Sequence, residues 1–204
     1  IGDIPYLTNE SMMDLDVLPE HLVIVGGSYI GLEFAQMYAR FGSRVTVLEQ
    51  GPRLVAHEDA DISAAIADIL ANENIALRFN VEHLRFVKGP GDAIAVTAMA
   101  GGQPLTVAAS HLLVAVGRKP NIADLGLDAA GIKTSAGRVM VNPGLRTRNR
   151  RVYAIGDVAG AAQSAHVAAD HAEVVLRRRL FRLGARGAGR KAAGVIFTDP
   201  KLGY

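Results

Sequence analysis

The chain has 204 residues, 50% of them hydrophobic and 21% charged. That balance excludes a disordered polymer and suffices for one large domain, or one domain and part of another. Lys and Arg (22) against Asp and Glu (20) leave a net charge of +2, no argument for nucleic acid as a partner. Without cysteine these residues hold no disulfide, thiolate metal site or cysteine nucleophile, and no apolar run reaches the ~18 residues of a membrane helix.

The amino terminus, Ile1-Gly2-Asp3-Ile4-Pro5, is no signal peptide, and without an initiator methionine the chain reads as a piece of something longer. Residues 1–20 read as an extended lead-in with a short polar turn. Leu22 to Val25 is a continuous apolar run, which predicts a strand covered on both faces. A glycine-rich turn follows and opens into a helix. There Ile30, Phe34, Met37, Tyr38 and Phe41 form one stripe, with Glu33, Gln36 and Arg40 on another face. Met37 and the Met12-Met13 pair are expected to be packing residues. Arg44 to Leu48 is a second strand, ending in Glu49. Glu58 to Asn74 is a second amphipathic helix with Ile62, Ile66, Ile69 and Leu70 on one face, and Ile75 to Phe79 a third strand. Val81–Val87, Ala93–Ala98 and Leu105–Val107 are short runs with strand character. Gly89-Pro90-Gly91-Asp92 and Gly101-Gly102 separate them, which predicts an antiparallel meander. Leu112 to Val116 is another apolar strand, ending at Gly117. A loop-rich stretch then runs from Arg118 to Lys133, with short strands near Arg138–Val141 and Val152–Ile155 and a helix from about Gln163 towards Phe181. From Leu183 glycine, alanine and arginine dominate, as in a linker, up to the apolar Val195–Phe197. No internal repeat is present. The fold class is α/β.

The segment from His21 to Glu33 carries the chemistry. A strand, a turn containing Gly26, Gly27, Ser28, Tyr29, Ile30 and Gly31, and a helix start are the context a dinucleotide pyrophosphate needs. Gly26 permits the tight turn, and Gly31 permits close helix–strand packing. The middle position, where backbone approaches phosphate, is Ser28, a departure from a strict G-x-G-x-x-G pattern, with Gly27 beside it. The helix start presents unpaired N–H groups and a dipole to whatever lies beyond the turn. Glu49, at the end of the second strand, is placed to accept hydrogen bonds from adenosine ribose hydroxyls. A 2′-phosphate needs cations, whereas Glu49 repels it and Gln50, Gly51 and Pro52 follow, so NADH is expected over NADPH.

These segments, together with Gly117-Arg118-Lys119-Pro120-Asn121, Ala130-Gly131-Ile132, Leu145-Arg146-Thr147, Val152-Tyr153-Ala154-Ile155-Gly156-Asp157 and Phe197-Thr198-Asp199-Pro200, resemble the pyridine nucleotide-disulfide oxidoreductases in order and spacing. The resemblance implies a Rossmann-like NAD(P)-binding domain with an antiparallel meander over 14–117. Residues 1–13 become a lead-in from the FAD domain, 118–182 the second part of a Rossmann-like FAD-binding domain, and 183–204 a linker and the start of the dimerisation domain. It implies FAD and NAD(P)H as cofactors, a disulfide or small-molecule acceptor, a cytoplasmic homodimer, and no nucleic-acid or membrane partner. The amino-terminal FAD fingerprint, the redox-active cysteine pair and the carboxy-terminal His–Glu pair of the family are missing, so this chain alone is expected to be inactive. Carried over by position, Gly26 to Ile30 cradle the pyrophosphate, Tyr29 gates the flavin, and Glu33 lies near the nicotinamide carboxamide. Gly117 and Arg118 approach the cofactors. Gly156 and Asp157 bind the FAD ribityl chain, and Ala165 and His166 start a helix whose amino end faces the flavin pyrimidine.

Other readings stay open. A flavin reductase for ferredoxin-type partners or quinones shares both folds without the disulfide, and an isolated nucleotide-binding module needs no catalysis. Arg177, Arg178, Arg179 and Arg182, with Arg186, Arg190 and Lys191, read as solvated cations, since no interleaved aromatic platform supports a nucleic-acid partner. His166, Asp170 and His171 lie close together, but no further ligand cluster supports a metal.

Overall fold

A computed structural model describes residues 4–89, 91, 93–160, 163–184 and 194–203. The chain forms two compact units: one ends at Gly117 and also takes in Val195–Leu202, the other begins at Arg118.

The first unit is built on a parallel sheet of β1 (His21–Val25), β2 (Arg44–Leu48), β3 (Ala76–Arg78) and β7 (His111–Val114), in the order β3-β2-β1-β7. All five residues of β1 are buried, because the sheet is covered on both faces. Alternation divides the coverage. Leu22 and Ile24 point with Val45 and Val47 into a core closed by α1 (Tyr29–Phe41) and α2 (Ala60–Asn72). Val23, Val25 and Leu48 point the other way, onto Val81, Ile94, Val96 and Ala109. These come from the meander of β4 (Val81–Lys88), β5 (Ile94–Ala100) and β6 (Gln103–Ala109). Each fully buried Leu or Ile here contributes about 1.5–3 kcal/mol. The chain leaves β1 towards β2 and β3 and comes back to β1's other side as β7. The connection therefore reverses at β1, above the carboxyl ends of the strands. The expected turn at Gly89–Asp92 lies partly outside the described residues.

The sheet-facing side of α1 differs from the predicted stripe. Gly31, Leu32, Ala35, Gln36 and Tyr38 are buried, whereas Met37 and Phe41 are exposed. Small residues win this face because the helix approaches the sheet closely at Gly31. Phe34, Tyr38 and Phe41 instead form a ladder of rings along the helix flank. Of the methionine pair, Met12 is buried and Met13 exposed, on a 3₁₀ turn at Ser11–Asp14.

His21 is buried in β1 with its Nε2 2.9 Å from Thr46 Oγ1. Burial first, and then the positive charge of Arg44, push its pKa below the ordinary imidazole value, with the Ala108 backbone and then Glu20 opposing. A neutral histidine in the fold and an ordinary one in the unfolded chain make stability fall as pH drops below about 6.5, where the unfolded chain takes up the proton first. Urea midpoints between about pH 7.5 and 5.5 should therefore decline, and His21→Gln should flatten part of that decline. A decline unchanged in the variant would assign it elsewhere; half-buried His111, lowered by burial, is the other contributor with this sign.

The second unit is lighter in regular structure. A two-stranded hairpin, β8 (Thr134–Ser135) and β9 (Arg138–Val139), turns through Ala136 and Gly137, both in the left-handed region with φ of 48° and 72°. Helix α3 (Ala165–Leu180) buries Val167, His171 and Val174. The expected strand at Val152–Ile155 is reduced to a single bridge between Tyr153 and Arg146. Ala154 N donates to Leu145 O and Thr147 N to Val152 O across that bridge, Val152 N turns back to Asn149 O, and among the described residues no longer strand runs beside the segment. The expected linker after Leu183 lies largely outside the described residues. β10 (Val195–Ile196) pairs with β11 (Leu202–Gly203). No helix among the described residues is long and apolar enough to cross a membrane.

Candidate functional site

The turn after β1 is fixed by two glycines. Gly26 has φ 112° and donates to Leu48 O at 2.9 Å. A Cβ there would lie 2.4 Å from the Ala115 carbonyl oxygen. A Cβ on Gly31 would lie 2.1 Å from the Gly26 oxygen, so helix and turn touch backbone to backbone. Ser28 is extended, takes the N-cap position of α1, accepts from Leu32 N through its carbonyl and makes no side-chain cap. The next N–H groups, of Tyr29, Ile30 and Gly31, lie in the first helical turn, where no intrahelical acceptor exists. They face outward with the positive end of the dipole.

Glu49 ties this turn to the next. Its Oε2 accepts from Gly27 N at 2.6 Å and its Oε1 from Gly51 N at 2.6 Å. Each oxygen retains a lone pair for a further donor. The Gly26 and Gly27 amides are thus already committed within the protein. The donors left for an anion begin with Ser28.

A cleft of 590 Å³ opens over the carboxyl ends of β1 and β2, lined by Val25, Gly26, Leu48, Glu49, Gln50, Val81, Glu82, His83, Leu84 and Val116. Glu82 and His83 escaped the sequence reading. They sit where β4 slips register against β5, between Glu82 and Arg85, and His83 has φ 54°. A bulge of this kind turns side chains towards a site. The signal was present: apolar positions in β4 change phase from Val81 to Leu84 and Phe86.

Tyr29 is half-buried at the helix start and packs against the core. Glu33 accepts from Phe197 N at 2.9 Å. On the same side of α1, Gln36 exchanges hydrogen bonds with the Asp199 backbone (Nε2 to O, 2.9 Å; Oε1 from N, 2.7 Å). Arg40 pairs with Glu73 and Asp199, an arrangement that raises the guanidinium pKa and lowers that of Glu73.

In the second unit Gly156, with φ 68°, begins a 3₁₀ turn that carries Asp157. Gly156 N donates to Nδ1 of buried His171 at 3.1 Å, so the ring proton sits on Nε2. His171 is therefore a positioning group for the Gly-Asp turn. Among the described residues no cluster of three His, Cys, Asp or Glu side chains could hold a metal ion. Arg118 pairs with Asp157 at 2.8 Å and reaches Gln163 O at 3.3 Å. That gathers Arg118, the Gly156-Asp157 turn and the segment leading into α3, where Ala165 and His166 are exposed at the helix start. Gly117, which closes the first unit, has φ 146°, and a Cβ there would meet nothing within 4 Å.

Comparison with known proteins agrees with these features. The family model described as pyridine nucleotide-disulphide oxidoreductase matches residues 2–172. The chain is 42% identical over 203 residues to a mercuric reductase of Streptomyces lividans, covering 99% of this chain and 42% of that protein. It is 36% identical over 163 residues to a dihydrolipoyl dehydrogenase of Bacillus subtilis, covering 79% and 34%. The HOCl-induced flavoprotein disulfide reductase RclA from Escherichia coli superposes with a TM-score of 0.87 at 31% identity, over 100% of this chain and 48% of that one. The chain thus spans less than half the length of these relatives. It belongs to the pyridine nucleotide-disulphide oxidoreductase family.

Proposed function

We propose that the chain is the nicotinamide-binding and part of the flavin-binding portion of an FAD-dependent oxidoreductase that passes hydride from NADH to FAD, and electrons on to a disulfide or related acceptor. The supporting observation is the Ser28–Gly31 helix start beside the Glu49 carboxylate, itself oriented by the Gly27 and Gly51 amides. The amides from Ser28 to Gly31 hold the pyrophosphate, and the free lone pairs of Glu49 accept from the adenosine ribose hydroxyls. A bound flavin supplies the electron-accepting chemistry. Tyr29 gates the approach to it, and Glu33 orients the carboxamide end of the coenzyme. Asp157, held by Arg118 and placed by His171 through Gly156, accepts from the flavin's ribityl hydroxyls. The start of α3 at Ala165 and His166 turns its positive end to the flavin. In this reading residues 14–117 are the nicotinamide domain, 118–182 return to the FAD domain, and 183–204 lead into a dimerisation domain of a cytoplasmic homodimer.

NADH is preferred because a 2′-phosphate over β2 meets carboxylates. Glu49 and Glu82 line the cleft without a Lys or Arg, and Arg53 is engaged with the Ala56 carbonyl. Titration of the intact protein with both coenzymes is expected to show NADH binding at least about tenfold tighter, the effect of one uncompensated charge. Tighter NADPH binding defeats the coenzyme assignment, and an intact protein that takes up no flavin defeats the flavoenzyme reading.

A further inference from the structure

The net charge of +2 conceals a segregation. Residues 1–117 carry fourteen Asp and Glu against six Lys and Arg, whereas residues 118–184 carry twelve Lys and Arg against five Asp and Glu. Between Asp128 and Asp157 there are six cations and no acid. Four of them, Lys133, Arg146, Arg148 and Arg150, line one cleft of 330 Å³ in the second unit. No carboxylate contributes to its walls, and none of the four is ion-paired among the described residues. By contrast, Arg40 pairs with Glu73 and Asp199, Arg118 with Asp157, and Arg177 with Glu173.

The cleft is built rather than incidental. Met140 N donates to Lys133 O at 2.9 Å, fixing the hairpin wall. Asn142 Oδ1 accepts from Gly144 N and Arg146 N, the Thr147 hydroxyl shares its one proton between the carbonyls of Asn149 and Val152, and Asn149 Nδ2 donates to Ala130 O. The loop that carries the three arginines is thus tied down at both ends, with Leu145 fully buried beneath it. Four like charges held together repel one another in the absence of a counter-charge, and a fixed backbone prevents them from dispersing far. Guanidinium forks match phosphate oxygens in pairs.

We propose that this cleft binds a compact polyanion carrying two or more phosphate groups. Its size suits a small molecule, and its lining has no aromatic platform for stacked bases.

The probe is inorganic tripolyphosphate, titrated calorimetrically into the intact flavin-loaded protein saturated with NAD, so that the coenzyme's own pyrophosphate site is filled. Saturable one-to-one binding is expected, weakening as salt rises. Arg148→Glu with Arg150→Glu should weaken it about tenfold or more, and Arg148→Lys with Arg150→Lys less, since charge survives but the forks do not. Lys119→Glu with Arg182→Glu changes net charge equally outside the cleft and should leave binding within about threefold, the long-range share alone. NADH affinity should be unchanged in all three. Absence of saturable binding, or equal weakening by both reversals, overturns the proposal. Tighter binding of a single-stranded oligonucleotide through the same arginines overturns it in favour of nucleic acid. Because NADH affinity is read in parallel, failure here and failure of the redox assignment are separable.

Discussion

Gly31→Val should be the most damaging single substitution in the first unit. A Cβ there would stand 2.1 Å from the Gly26 oxygen and 3.3 Å from Ile24 Cγ2, and neither neighbour can yield, since one is backbone and the other lies in the fully buried β1. Overpacking of this kind costs about 3 kcal/mol or more, and the helix must lift from the strand to relieve it. Because the same helix start offers the free amides, NADH affinity should be lost with it. Urea midpoint and coenzyme titration measured on one preparation check both. Gly26→Ala should behave alike for a second reason, its φ of 112°. Native stability with native NADH affinity in Gly31→Val would refute the close contact itself.

Glu49→Ala and Glu49→Gln separate what the carboxylate braces from what it recognises. Alanine leaves the Gly27 and Gly51 amides without their acceptor, at about 1–3 kcal/mol for each that stays buried and unpaired. NADH binding should fall about tenfold or more, because the turn loosens and the ribose loses its acceptor. Glutamine keeps one acceptor oxygen but removes the charge, so most stability should return while discrimination against NADPH narrows. Equal coenzyme ratios in wild type and Glu49→Gln would deny the carboxylate its part in selectivity. Unchanged stability in Glu49→Ala would deny it the bracing.

The glycine turn was legible in the sequence because its causes are local: a positive φ and a backbone contact five residues apart. The two-sided burial of β1 followed from its unbroken apolar run, and the meander from short strand-like runs separated by glycine turns. The buried side of α1 was not legible, since apolar periodicity favours large residues and close approach to a sheet favours Gly31 and Ala35. Gln36 read as part of a polar face, yet it is buried because its partners, Glu73 and Asp199, are far along the chain. His171 stood out only as a weak metal candidate, and its bond to Gly156 needs the fold to bring them together. His83 had a local signal, the change of phase in β4. Val152–Ile155 has the composition of a strand, but a strand also needs a neighbour.

Glu33, Gln36 and Arg40 grasp Phe197 and Asp199, and Ile196 joins the core beneath α1. This imposes an order on biosynthesis. When a ribosome has released Gly117, the sheet and both its helices exist in outline, yet α1 still shows Gln36 and Arg40 to water without their last partners. Completion waits until residues 195–202 emerge, after the whole stretch from Arg118 has been translated. A gene truncated at Gly117 would therefore yield a nascent product arrested at that stage, with one flank of its helix uncovered.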